Sequence, residues 1–171
     1  MRIAAKDDLD EIMSLYTVVV ETVNKTDIKL GWNTQIYPDI QFIGKAIEEK
    51  QLYVLCNDDR IIAACVVNHE VNREYDLIDW DIKGPKEKIA TIHALTTHPD
   101  YRGKKYSDIF LAEIENKCRQ NGDISIHLDV IDTNIPAFKL YIRNGYIEKA
   151  NIDMYYEVVG NRKFWMMEKI L

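Results

Sequence analysis

The sequence predicts an α/β domain of the α+β layered kind, with helices packed on a mixed sheet. Three observations lead there. Stretches with apolar residues at helical spacing alternate with short apolar runs of strand length; Gly, Pro, Asn and Asp punctuate the junctions; and no repeat, low-complexity tract or linker divides the 171 residues. A chain of this length suits one domain over residues 1–171. Hydrophobic residues at 47%, with only 7 Gly and 4 Pro, can fill one core and exclude a disordered or collagen-like chain.

Met1–Ala5 opens as a short strand. Asp7 and Asp8 then stand where a helix N-cap and first turn favour carboxylates, and Leu9, Ile12, Met13, Tyr16, Val19, Val20 and Val23 follow at spacings of three and four. Pro38 and Asp39 precede a second helix marked by Ile40, Ile43, Ala46 and Ile47. Gln51–Cys56 and Ile61–Val67, joined through Asn57, Asp58 and Asp59, read as a hairpin. Residues 68–88 are polar and irregular, and Gly84 and Pro85 break them before a strand at Ile89–Thr97. The turn HPDYRGKKYS leads into a helix with Ile109, Phe110, Ile114 and Cys118 at apolar positions, ending near Asn121 and Gly122. Ile124–Val130 is the next strand, and Pro136–Arg143 is a short helix closed by Gly145 at its C′ position. Two last strands, about Tyr146–Val159 and Lys163–Leu171, meet through Gly160 and Asn161.

Acidic residues outnumber basic ones, 28 against 22, for a formal charge of −6 and a pI near 5.2. Nonspecific nucleic-acid binding needs a basic surface, so that class is disfavoured, whereas a cationic substrate is not. The N-terminal MRIAAKDDLDEIM carries acids where a secretory signal needs an apolar core, and no uncharged apolar run approaches a membrane span. Cys56, Cys65 and Cys118 are odd in number and lack CxxC spacing, which suggests free thiols in a reducing, cytoplasmic setting. His69, His93, His98 and His127 include no HExxH pair, so no catalytic metal is expected. No GxSxG elbow or Cys/His nucleophile signature occurs, in keeping with direct transfer rather than a covalent enzyme intermediate.

Two motifs carry the functional reading. In HALTTHPDYRGKKYSDIFLAEIENKC, a basic glycine-containing loop runs from a strand into a helix, where successive backbone N–H groups and the helix dipole can hold a diphosphate. About 15 residues later comes NIPAFKLYIRNGYIE. Together they resemble the GNAT superfamily of acyl-CoA-dependent N-acetyltransferases, whose element order the chain follows over nearly its whole length. The family loop Q/R-x-x-G-x-G/A aligns with Arg102, Gly103, Lys104, Lys105, Tyr106 and Ser107. Lys105 stands where the pattern has Gly, and Ser107 where it has Gly or Ala. With a negative φ the lysine would keep its N–H contact and add a cation that aids binding. The second signature, N-x-x-A-x-x-L-Y-x-x-x-G-F/Y, is met by Asn134, Ala137, Leu140, Tyr141, Gly145 and Tyr146.

The resemblance implies a mostly antiparallel sheet with splayed fourth and fifth strands, acetyl-CoA as co-substrate and a primary amine as acceptor, whether a small amine, an amino acid or a protein amino group. It assigns the pantetheine and acetyl carbonyl to backbone groups of Leu95, Thr96 and Thr97, which would act as an oxyanion hole. Tyr141 matches the tyrosine that protonates the departing thiolate, and serves equally as a core residue of its helix. Asn134 matches a residue that touches the cofactor arm, and is also an N-cap. His93 titrates in the range of a general base and could equally be a hydrogen-bonded strand histidine; Glu70, Asp79 and Asp129 are the other candidates. The acceptor pocket is expected from residues 24–38, with Trp32 and Tyr37, and 69–86, with Glu70, Glu74, Tyr75, Asp76, Asp79, Trp80 and Asp81. Aromatic faces among carboxylates suit a cationic amine, and the same segments also read as solvated acidic loops with a few core aromatics. The alternative to an enzyme is an inactive acyl-CoA-binding sensor on the same fold. A homodimer through the apolar C-terminal KFWMMEKIL stays open, since core packing explains the same residues.

Overall fold

The computed structural model describes residues 1–28 and 30–171. Seven strands form one sheet in the order β1-β2-β3-β4-β5-β7-β6. They are β1 (Arg2–Ile3), β2 (Leu52–Asn57), β3 (Arg60–Asn68), β4 (Ile89–Thr97), β5 (Ser125–Ile131), β6 (Ile147–Tyr156) and β7 (Gly160–Ile170). Every pairing is antiparallel except β4 with β5. The mixed, mostly antiparallel sheet expected above is therefore what forms.

Helices cover both faces. Ile12, Leu15, Tyr16, Val19 and Val23 form the buried stripe of α1 (Leu9–Val23), and Ile43, Ala46 and Ile47 that of α2 (Ile40–Glu48). Asp39 caps α2 by accepting from the Phe42 amide at 2.8 Å. These two stripes bury Leu52, Val54, Ala64 and Val66 of β2 and β3 on one face. On the other, α3 (Tyr106–Asn121) and α4 (Ile135–Arg143) set Phe110, Leu111, Ile114 and Leu140 against Ile62, Ala63, Cys65, Ile126 and Leu128. Burial on both faces explains why β2 and β3 read as continuous apolar runs rather than alternating ones. Cys65 and Cys118 are buried in this second layer, and all three cysteines are free thiols.

The departures from expectation are local. The first strand pairs only over Arg2–Ile3, although the Ala4 amide still bonds to the Leu52 carbonyl. The last hairpin turns at residues 157–159, so Gly160, at φ +67°, opens β7 rather than forming the turn. Residues 68–88 are irregular as expected but contain 3-10 turns at Arg73–Leu77 and Lys86–Lys88, with Tyr75 and Ile78 buried. Among the described residues, no helix is long and apolar enough to cross a membrane.

The feature that shapes the site is in β4. Its parallel ladder with β5 runs only from Ile89 to Thr91, opposite Ser125 to His127. On the β3 side the register shifts between Ala64 and Val66, opposite Thr96 and His93, which leaves one extra residue in β4. Ala94 sits at this bulge with φ +51°, and its carbonyl accepts a 2.8 Å hydrogen bond from the buried Tyr16 hydroxyl of α1. Beyond the bulge β4 and β5 part, as the resemblance implied.

Tyr16→Phe removes that donor and leaves a buried carbonyl without its partner, so unfolding by urea should show a loss of about 1–3 kcal/mol. An unchanged stability would mean that the bulge holds without α1.

Candidate active site

Where β4 leaves the sheet, its end runs through a 3-10 turn at Pro99–Tyr101 into the loop that starts α3. The His98 amide bonds to the Ile62 carbonyl, and Thr96 pairs with Ala64, so alternation along the strand turns the Thr97 amide away from β3 toward the gap. The Thr97 and Ser107 hydroxyls lie 2.9 Å apart and tie the strand end to the first turn of α3. Leu95, half-buried, lines the gap itself.

Gly103 takes φ +74°, and a side chain there would meet nothing within 4 Å. No side chain caps α3, so the amides of Tyr106 and Ser107 in its first turn are open to a ligand. Arg102, Lys104 and Lys105 stand exposed around them. An uncapped helix start, an open backbone and three cations fit a diphosphate. The Lys104 ammonium lies 5.3 Å from the ring centre of Tyr101, which packs edge-on to Tyr106 at 5.6 Å, and the Tyr106 hydroxyl donates to Asn57 at 3.2 Å. Arg60, which no motif marked, joins this corner from β3 with its Nη2 2.9 Å from His98 Nε2 and its guanidinium 6.0 Å from the Tyr101 ring.

Lys105 corrects an expectation. Its φ is +64°, not negative, so the lysine occupies the left-handed conformation for which the family position uses glycine. The backbone path of the loop is kept, at the expense of strain in one residue.

Below the loop, the gap between β4 and β5 deepens into a cavity of about 300 Å³. It gathers His93 and Leu95 from β4, Asn134 and Tyr141 from α4 and its N-cap, and Asp129 from β5. Asn134 caps α4 through its Oδ1, which accepts from the Ala137 amide at 3.3 Å, and also faces the cavity, so its two readings coexist. Tyr141 is 6% exposed and packs edge-on against Tyr146 at 5.3 Å. Burial pushes its phenol well above the ordinary tyrosine value, and among the described residues its hydroxyl has no hydrogen-bond partner. It is therefore a protonated donor available to a ligand.

His93 Nε2 lies 2.9 Å from Asn68 Oδ1 and 3.1 Å from the Glu70 carbonyl. A carbonyl can only accept, so Nε2 carries the proton and Nδ1 the lone pair. Burial lowers the imidazole below its ordinary value, which keeps it neutral at physiological pH. Asp129 moves the other way: burial raises its carboxyl, against hydrogen bonds from Tyr75 and Tyr156 and the nearby His93, which lower it. The Tyr75 hydroxyl donates to Asp129 Oδ2 at 2.8 Å, and the Tyr156 hydroxyl lies 3.3 Å from both oxygens.

Both expected acceptor segments reach this cavity. Trp32 and Tyr37 line it from the first, Glu70 and Tyr75 from the second. Glu74, Asp76, Asp79, Trp80 and Asp81 do not; Asp79 pairs with Lys83 at 2.8 Å and Asp81 with Lys149 at 2.6 Å, so Asp79 is removed from the candidate bases. Trp80 instead stacks on His127 at 3.8 Å and donates through Nε1 to the Tyr75 carbonyl at 2.9 Å. Glu168, 1% exposed on β7, anchors the same loop by accepting the amides of Asp81 and Ile82 at 2.8 and 3.0 Å. Tyr156 and Phe164, from the last hairpin, were not legible as site residues, because edge-hairpin aromatics carry no motif. Among the described residues, no group of three His, Cys, Asp or Glu side chains is placed to hold a metal ion.

The model of the acetyltransferase (GNAT) family matches residues 12–146. Among curated proteins, no sequence matches significantly. Solved structures do. An acetyltransferase of the GNAT family from Streptococcus agalactiae superposes with a TM-score of 0.78 at 17% identity, over 99% of this chain and 94% of its own. The ribosomal-protein-alanine N-acetyltransferase of Brucella melitensis gives 0.73 at 16%, over 99% and 98%. The paia N-acetyltransferase of Thermoplasma acidophilum, solved in complex with coenzyme A, gives 0.72 at 17%, over 99% and 97%. At these identities the likeness is one of fold.

Lys105→Gly relieves the left-handed strain and should raise the free energy of unfolding by about 1 kcal/mol, whereas Lys105→Ala, still left-handed with a Cβ, should not. Equal stability of the two variants in denaturant would show that the loop is unstrained.

Proposed function

Because the chain belongs to the GNAT acetyltransferase family, we propose that it transfers an acetyl group from acetyl-CoA to the nitrogen of a primary amine, with residues 1–171 acting as one domain in the cytoplasm. The observation that carries this reading is the opening of β4 from β5 beside a cavity that brings Tyr141, His93 and Asp129 together. Acetyl-CoA supplies the thioester, and the balance is R–NH₃⁺ + CH₃CO–S–CoA → R–NH–COCH₃ + HS–CoA + H⁺.

The residues divide the work by position. Amides of Tyr106 and Ser107, with Arg102, Lys104 and Lys105, hold the diphosphate, and Asn134 and Leu95 flank the arm that runs from it into the gap. The Thr97 amide offers a fixed backbone dipole at the gap's mouth; Thr96, turned to β3, supports the strand instead. His93 takes a proton from the ammonium at Nδ1, which its Nε2 contacts leave free, and passes it to water. Tyr141 gives its proton to the departing sulfur. Its raised phenol keeps it protonated until that charge develops, and the second proton that the nitrogen sheds as the amide forms restores it.

Calorimetric titration with acetyl-CoA, ATP serving as control, followed by amine-dependent thiol release, tests the reading. Tyr141→Phe should retain acetyl-CoA affinity while kcat falls roughly 100-fold, the scale of a lost general acid. Unchanged turnover would remove the acid role. The acid limb of kcat against pH, measured at saturating amine, should fall below the ordinary histidine value of 6.5, because His93 is shifted down and is active only when neutral. His93→Gln should abolish that limb; its survival would assign the base elsewhere.

A further inference from the structure

The acceptor end of the cavity has a composition that restricts what can enter it. Resting on the acetyltransferase reading above, we propose that the acceptor is a small primary amine with an apolar or aromatic body and no carboxylate of its own, its ammonium seated on Asp129. Three observations carry this.

First, Asp129 is held at a fixed orientation but is not saturated. Tyr75 donates to Oδ2 and Tyr156 approaches both oxygens, while Asn72 Nδ2 donates to the Tyr156 hydroxyl at 2.8 Å and leaves that hydroxyl's proton for Asp129. A carboxylate offers about four acceptor positions, so two hydroxyls leave room for the N–H groups of an ammonium. Among the described residues, no Lys or Arg pairs with it.

Second, the surrounding wall is aromatic and ordered by its own packing. Tyr37 and Phe42 sit 4.9 Å apart, Tyr156 and Phe164 4.9 Å, and Trp32 packs edge-on to the buried Tyr16 at 5.8 Å. Such faces receive a hydrocarbon or ring next to a cation.

Third, the charge of the lining has one sign. Its only carboxylates among the described residues are Asp129 and Glu70, and no described Lys or Arg lines it. The Glu70 carboxylate lies at the exposed rim, 3.7 Å from Lys45. An amino acid entering by its ammonium would bring its own carboxylate beside Asp129 with no cation among the described lining residues to meet it, and that group would be desolvated next to a like charge.

The test uses matched pairs that differ only in a carboxylate: phenethylamine and phenylalanine, tryptamine and tryptophan, cadaverine and lysine. Thiol release is measured at saturating acetyl-CoA, and binding of each compound to the CoA-loaded protein is measured by calorimetry. The amines should exceed their amino acids by roughly 100-fold or more in kcat/KM, the scale of one unpaired buried charge. Asp129→Asn should cut amine binding by a similar factor while acetyl-CoA affinity is unchanged. Comparable turnover of amine and amino acid, or preference for a peptide N-terminus over every small amine, would overturn the proposal. If the amines bind in the expected order but release no thiol, the substrate class stands and the catalytic reading falls. If acetyl-CoA binds and none of the three amines does, the substrate class falls and the donor site stands.

Discussion

A strand that stayed in register would have no site. The three-residue parallel ladder between β4 and β5 could continue toward Thr97, and its hydrogen bonds would then close the gap. What prevents this is one extra residue at Ala94, held in a left-handed conformation that L-residues avoid. Nothing within β4 favours that conformation. The compensation comes from α1, where Tyr16 is buried in the helix stripe and turns its hydroxyl onto the bulge carbonyl. A residue that reads as core packing thus holds open the cleft on which the donor loop, the cavity and its polar groups depend.

The cavity wall built by residues 69–88 rests on a second, longer chain of contacts. Residues 69–88 have too few apolar positions to fix their own shape, and the sheet fixes it for them through Glu168. That buried carboxylate is satisfied by two loop amides, by the Ser125 hydroxyl at 3.2 Å and by His127 Nε2 at 3.2 Å, so its burial is compensated by hydrogen bonds rather than by a countercharge. Trp80 then lies on His127 and bonds to the Tyr75 carbonyl, and Tyr75 orients Asp129. An order imposed on a polar loop at one edge of the cavity reaches the carboxylate inside it.

Helical and strand periodicity made the element order readable, because each element buries a stripe or a face and the apolar spacing records it. The boundaries that shifted are those where backbone conformation decides: Gly160 begins a strand because its positive φ suits the exit of a turn, and the first strand shortens to two residues at the sheet edge. Lys105 shows the limit plainly. Its position in the motif was legible, but the sign of φ at a loop residue depends on the tertiary path, and lysine gives no hint of a left-handed site. Asp76, Asp79 and Asp81, expected in the acceptor pocket, lie outside the cavity for a related reason. These three are conspicuous in a charged run and pair with Lys86, Lys83 and Lys149, while Asp129 sits inside an ordinary apolar strand, ISIHLDV, where alternation alone carries it to the cavity.

Asp129 also carries an energetic argument. Its folded-state proton affinity is raised above that of the unfolded chain, so whatever stability the protonated form contributes is present at low pH and lost as pH rises through the raised value. Once ionised, the group therefore works against folding. Asparagine would fill the same space and still accept from Tyr75, so packing and hydrogen bonding alone do not call for a carboxylate there. What an amide cannot do is balance a positive charge. A carboxyl whose ionisation weakens the fold, oriented by two tyrosines and backed by aromatic faces, makes physical sense once a cation enters the cavity, because the cation lowers the cost of that ionisation and is in turn held by it.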